Sequence, residues 1–117
     1  MNLDQEILQS ADAMKYELIA RRRDLHRHPE PGWTEFRTAS LVATTLDALG
    51  YDVKTGEDTV ARDSMMGLPS PKTLHAAKER AATEGADPRW LGHMTGGLTG
   101  VVATIPDDWR GSRRRAP

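Results

Sequence analysis

Arg21-Arg-Arg-Asp-Leu-His-Arg-His-Pro-Glu-Pro-Gly-Trp-Thr-Glu-Phe-Arg-Thr38 decides how the rest of the chain reads. It joins the end of one amphipathic helix to the start of another. Upstream, Leu3, Ile7, Ala11, Met14 and Leu18 recur at helical spacing, and Leu8, Ile19 and Leu25 widen the apolar stripe. Asp4 and Glu6 near its start and Arg21, Arg22 and Arg23 near its end suit the helix dipole. Pro29 disfavours helical geometry at His28, so a single long helix should stop about there. Pro31-Gly32 makes a turn. Thr34 is then the expected N-cap of the next helix, with Glu35 in its first turn. Phe36, Ala39, Ala43 and Leu46 give that helix its apolar face, and Gly50 is placed to be its C′ residue.

Working outward, Tyr51–Thr55 alternates and reads as a short strand. Residues 56–69 read as loop, with Met65 and Met66 prominent. Ser70-Pro71 signals a helix whose apolar side is Leu74, Ala77 and Ala81, ended by Gly85. Asp87-Pro88 repeats the signal for a short helix through Met94, and Gly96-Gly97 breaks it. Gly100-Val-Val-Ala-Thr-Ile105 is apolar on both alternating faces, the pattern of a strand covered on both sides. The remainder, 106–117, has neither period and is expected to be disordered. The pattern is α/β: two long helices, a short strand, a helical insertion over 56–99 and an apolar strand.

A chain of 117 residues suffices for one domain, and its net charge of -1 exerts no general pull toward nucleic acid or membrane. Cysteine is absent, which excludes disulfides and thiolate ligands. The acidic, polar start is unlike a signal peptide and no segment approaches spanning length, so a cytoplasmic protein is expected. Arg113, Arg114 and Arg115 could meet phosphate, but Asp107 and Asp108 stand nearby and only Trp109 could stack. Neither a nucleic-acid nor a membrane partner is expected.

Candidate chemistry gathers in the opening stretch. His26 and His28 invite a metal reading, yet residues two apart on a helix point to different faces. Glu30 and Glu35 could be a general acid and base. The plainer reading has Glu35 favouring a helix N-terminus and Glu30 bonding backbone or arginine in the turn. Gly96-Gly-Leu-Thr-Gly100 leads into a strand, which does not fit a dinucleotide loop.

Arg22 through Ala39 resembles the N-terminal signature of the metal-dependent amidohydrolases of the aminoacylase and carboxypeptidase type. Downstream, Met66-Gly-Leu-Pro69, a helix, Trp90 and the return through Gly96–Ile105 resemble one branch of that family. The resemblance implies hydrolysis of the amide bond of an N-acyl amino acid, an acylglutamate from folate breakdown, releasing glutamate. It implies a zinc-peptidase α/β sandwich, of which residues 1–105 would be the N-terminal part. A homodimer, or a heterodimer with a paralogous subunit, is implied too. Family members use a pair of divalent ions, Zn or Mn, with a glutamate as general base.

The family's Asp-Met-Asp-Ala-Leu, Cys-Gly-His-Asp-Gly-His and Glu-Glu segments are not found here. The matched positions therefore carry no catalytic residue and no metal ligand, and no bound metal is expected. His26, His28, Pro29, Glu30 and Glu35 match the motif, and the resemblance gives them structural support near the site. The expectation is a product truncated by a frameshift after about Ile105, 106–117 being out of frame, inactive alone. The alternative is a non-catalytic helical module that binds a full-length amidohydrolase subunit.

Overall fold

The computed structural model describes residues 2–109. Along the chain run α1 (Leu3–Ala13), α2 (Lys15–Arg27), α3 (Phe36–Ala48), β1 (Asp52–Thr55), α4 (Pro71–Thr83), α5 (Pro88–Leu91) and β2 (Val101–Thr104). Short 3-10 turns at Gly56–Asp58 and Arg62–Ser64 lie in the loop after β1.

The first helix starts on a capping box. Asn2 Oδ1 accepts from the Gln5 amide, and Gln5 Oε1 accepts from the Asn2 amide. The single long helix expected over 3–28 is instead two. At Met14 the N–H is shared between the Ser10 and Ala11 carbonyls, at 3.3 and 3.1 Å, which tightens the turn and divides α1 from α2. Neither helix buries a residue. Leu3, Ile7, Leu8, Met14 and Leu18 stay exposed, so the stripe that predicted the helix has no cover among the described residues.

The core gathers round α3. Phe36, Ala39 and Ala43 on its inner face meet Leu74 and Ala81 of α4, Trp90 and Leu91 of α5, and Met94. Burying a side chain such as Phe36 stabilises by about 1.5–3 kcal/mol. Ser40 is buried on the same helix and is satisfied by Asp87, whose N–H donates to its Oγ at 2.9 Å. α3 ends as expected. Gly50 takes φ +95°, and the Tyr51 N–H reaches back to the Leu46 carbonyl at 3.2 Å.

β1 pairs antiparallel with β2 in the register Asp52↔Thr104 to Thr55↔Val101, a sheet of two strands among the described residues. The double cover expected for the apolar strand is not found there, since Val102 is exposed. The caps of the insertion hold. Ser70 Oγ accepts from the Thr73 amide, with Pro71 opening α4. Asp87 Oδ1 accepts from the Arg89 amide, with Pro88 opening α5. α5 stops at Leu91 rather than Met94, and turns carry the chain on to Gly97.

Of the segment expected to be disordered, residues 106–109 are described and 110–117 lie outside the described residues. Residues 107–109 form a helical turn, and the Trp109 ring meets Tyr51 edge-on at 5.5 Å. Among the described residues, no helix is long and apolar enough to cross a membrane.

Candidate functional site: the hinge between α2 and α3

Glu30 organises the hinge. Its Oε2 accepts from the Arg37 amide at 2.8 Å, and its Oε1 accepts from the Thr38 amide at 2.8 Å and the Thr38 hydroxyl at 2.7 Å. One carboxylate therefore takes up N–H groups of the first turn of α3, where the helix dipole favours negative charge. This corrects the expectation of a Thr34 cap. The residue at the cap position is Glu35, which makes no side-chain cap bond. Thr34 lies one residue before the cap, and its hydroxyl donates to the Pro31 carbonyl at 2.6 Å.

Arg37 is the second organiser. Its guanidinium grips Asp24 of α2 in a bidentate pair, Nη1–Oδ2 at 3.0 Å and Nη2–Oδ1 at 2.9 Å. Its Nε donates to the Glu84 carbonyl at the end of α4, also at 3.0 Å. One side chain thus joins the ends of three helices. The hydrogen bond from Arg37 holds the Asp24 carboxyl below its ordinary value, with the positive charges of Arg37, His28 and Arg27 acting the same way and partial desolvation opposing them.

The histidines separate. His28 caps α2, and its Nδ1 lies 2.9 Å from the Asp24 carbonyl and 3.5 Å from Asp24 Oδ1. His26 is exposed, in a shallow basic cleft with Arg22, Arg23 and Arg27. Pro29 ends α2 as anticipated, and its carbonyl accepts from Arg80 Nη2 at 3.4 Å. Glu35 differs from all of these. Its Oε1 is buried with no hydrogen-bond partner among the described residues.

Trp33 escaped the sequence reading. Its φ is +65°, an uncommon conformation for a bulky residue, and its indole N–H donates to the Met66 carbonyl at 2.6 Å. The hinge is thereby tied to the insertion. Nothing in the sequence marks this, because the neighbouring Gly32 is the residue suited to a positive φ. Arg37 did leave a signal. A cation in the first turn of a helix opposes the dipole, so its presence there asks for a carboxylate partner.

The described hinge side chains do not converge as a metal-ligand set. Among the described residues, no three His, Asp or Glu side chains converge. Glu30 is engaged at the start of α3, His28 is held through Nδ1, and His26 faces solvent among arginines.

No family model matches the sequence. The chain is 53% identical over 89 residues to the indole-3-acetyl-aspartic acid hydrolase of Enterobacter agglomerans, covering 76% of this chain and 20% of that one. It is 49% identical over 84 residues to a p-aminobenzoyl-glutamate hydrolase chain of Escherichia coli, covering 72% of this chain and 19% of the relative. Over most of its length, the chain is a homologue of proteins named as hydrolases of indole-3-acetyl-aspartic acid and p-aminobenzoyl-glutamate. The fold agrees. The crystal structure of the aminobenzoyl-glutamate utilization protein from Klebsiella pneumoniae matches with a TM-score of 0.78 at 48% identity, covering 92% of this chain and 26% of that one. The chain thus spans about a fifth of the length of the curated relatives it matches. The resemblance to amidohydrolases read from Arg22–Ala39 is upheld by these relatives.

Proposed function

We propose that this chain supplies scaffold to a metal-dependent amidohydrolase that cleaves p-aminobenzoyl-glutamate or a related N-acyl amino acid, releasing the amino acid. The single observation that carries the reading is identity near 50% to hydrolases of aminobenzoyl-glutamate and indole-3-acetyl-aspartate over about three quarters of the chain. In this reading the hinge belongs to one layer of a zinc-peptidase α/β sandwich. Its residues set the angle between α2 and α3 and contribute no metal ligand and no proton transfer. The chemistry of a Zn or Mn pair would be held by residues other than those described here, and the chain alone is inactive. A dimeric assembly, with a second copy or a paralogous subunit, completes the proposal.

Two measurements test it. Residues 3–105 are exchanged for the matching segment of the Escherichia coli p-aminobenzoyl-glutamate hydrolase, and hydrolysis of p-aminobenzoyl-glutamate by the chimera is followed. Retained turnover is expected, and a folded, metal-loaded but inactive chimera would overturn the scaffold assignment. Purified chain is then analysed for metal content and assayed on the same substrate. Stoichiometric metal with turnover would refute the claim that it is inactive alone.

A second reading has a specific observation behind it. The uncovered apolar stripe of α1 and α2, from Leu3 to Leu18, suits a non-catalytic module that binds a full-length amidohydrolase subunit. Co-purification of the two chains, abolished by Ile7→Asp, would favour it. Independent migration in size-exclusion chromatography would remove it.

A further inference from the structure

The insertion between β1 and β2, tied to the hinge through Met66, Arg80 and Glu84, forms with Phe36 of α3 a cleft of about 380 Å³. Phe36 and Leu74, both buried, make its floor. Leu68, Pro69 and Pro71 make its walls, and Arg62, His75 and Lys78 stand at its edge. We propose that this cleft binds a small apolar carboxylate, with the apolar body on Phe36 and Leu74 and the carboxylate between Arg62 and Lys78. The inference stands apart from the amidohydrolase reading, because it rests on this cleft alone.

Three features support it. The first is that the wall is held in place. The loop that carries Leu68 is tethered by the Trp33 N–H to the Met66 carbonyl at 2.6 Å, with Trp33 at φ +65°. Unfavourable backbone conformations persist where the surroundings impose them, commonly beside a ligand. Beneath that loop lies Gly97, at φ +84°. A Cβ there would stand 2.9 Å from Leu68 Cδ1 and 3.2 Å from Leu74 Cδ2, so the bare glycine lets both leucines approach the chain.

The second feature is spare positive charge. Lys78 Nζ is bonded to the Thr95 hydroxyl at 3.3 Å, a neutral partner. Arg62 reaches Glu57 through Nη2 alone, at 3.4 Å, and both side chains are more than half exposed. A guanidinium has five N–H donors, so most of this one's capacity is left for an incoming acceptor. His75 is matched by Glu79 at 3.1 Å and adds little. The third feature is the placement of Arg62. Its guanidinium lies over Gly96, where a Cβ would come within 2.8 Å of Nη1. The bare backbone at 96 leaves room for the guanidinium at the edge of the cleft. An apolar hollow with a few convergent polar groups is the usual form of a small-molecule site, and this volume sits at the small end of that range.

The test uses the full chain, isotopically labelled, titrated with benzoate and followed by amide chemical shifts. Saturable shifts at Leu68, Leu74, Thr95 and Gly96 are expected. The Arg62→Ala/Lys78→Ala double variant changes one exposed and one half-buried residue, neither in the core, and should bind benzoate about tenfold or more weakly, the loss of charge-assisted hydrogen bonds. Benzyl alcohol, of similar shape without the charge, should bind the native chain weakly by the same factor. Leu68→Asp, which sets a carboxylate in the wall, should abolish benzoate binding. Absence of shifts, shifts confined to Arg22, Arg23 and Arg27, or undiminished binding by the double variant or by Leu68→Asp would each overturn the proposal.

Discussion

Glu30→Ala removes the side-chain hydrogen bonds that cap α3 among the described residues. Two backbone amides, Arg37 and Thr38, and the Thr38 hydroxyl lose a charged acceptor that stands 2.7–2.8 Å away. Loss of an N-cap side chain costs about 0.5–2 kcal/mol. Loss of a favourable charge at a helix N-terminus costs about 0.3–1 kcal/mol. A single hydrogen bond to a charged group is worth about 1.5–3 kcal/mol. These figures describe overlapping parts of one interaction and do not add. The hinge is only partly buried, so water replaces some of what is lost. A net loss of about 2 kcal/mol is expected by weighing these terms. With a urea slope of about 2 kcal/mol/M, the unfolding midpoint of the variant should fall by about 1 M. Glu30→Gln keeps an acceptor for Thr38 and turns an amide donor toward the Arg37 N–H, so about half the loss is expected. Urea titration followed by far-ultraviolet circular dichroism reads both variants. Amide hydrogen exchange should show Arg37 and Thr38 opening faster than the rest of α3. A Glu30→Ala midpoint corresponding to less than about 0.5 kcal/mol, the spread of ordinary surface changes, would refute the cap.

Glu35→Gln should have the opposite sign to Glu30→Gln, because Glu35 Oε1 is buried without a partner among the described residues. Replacing that carboxyl by an amide is expected to be neutral or to stabilise by up to about 1 kcal/mol, and a urea midpoint lowered by more than that would show a partner for Glu35. The Asp24 carboxyl is depressed chiefly by its hydrogen bond from Arg37, so its stabilising contribution is present above the ordinary value of 3.8 and is lost as pH falls through the lowered folded value. Native chain and Asp24→Asn should therefore differ at neutral pH and converge only below about pH 4; a gap that closes between pH 7 and 5 would contradict this. Gly56 and Gly85 both have positive φ, but a Cβ on Gly56 would run into the His93 carbonyl, whereas Gly85 has open space. Gly85→Ala should cost about 1 kcal/mol and Gly56→Ala at least about 2 kcal/mol more, read from thermal midpoints.

What was legible in the sequence depended on how far each feature reached. Ser70-Pro71, Asp87-Pro88, Gly50 and Pro29 were read correctly because a cap or a stop is the work of one residue on its immediate neighbours. The break at Met14 was not, since no proline or glycine marks it and the apolar stripe runs through it unbroken. The Thr34 cap failed for a related reason. A rule that looks a few residues ahead finds Thr34, while the carboxylate that does the capping sits seven and eight residues before the amides it serves. Glu30 can reach them because Pro31-Gly32 folds the chain back. Once that happens, the two carboxylate oxygens take up the amides of the open turn, while the Thr34 hydroxyl donates to the Pro31 carbonyl.

The same geometry decides what the conspicuous residues of the hinge can do chemically. A general base needs an oxygen or nitrogen free to take a proton, and a metal ligand needs a lone pair free to donate. Glu30 directs both oxygens at the start of α3, and His28 holds Nδ1 against the Asp24 carbonyl. Asp24 is gripped through both oxygens by Arg37. The two carboxylates join helix ends, and His28 is held through Nδ1 at the end of its own helix. Glu35 is the exception. A buried carboxylate oxygen without a donor is costly, so such an atom is retained where something else offsets the cost. The opposed signs expected for Glu30→Gln and Glu35→Gln therefore separate the carboxylate that builds the hinge from the one that the hinge leaves open.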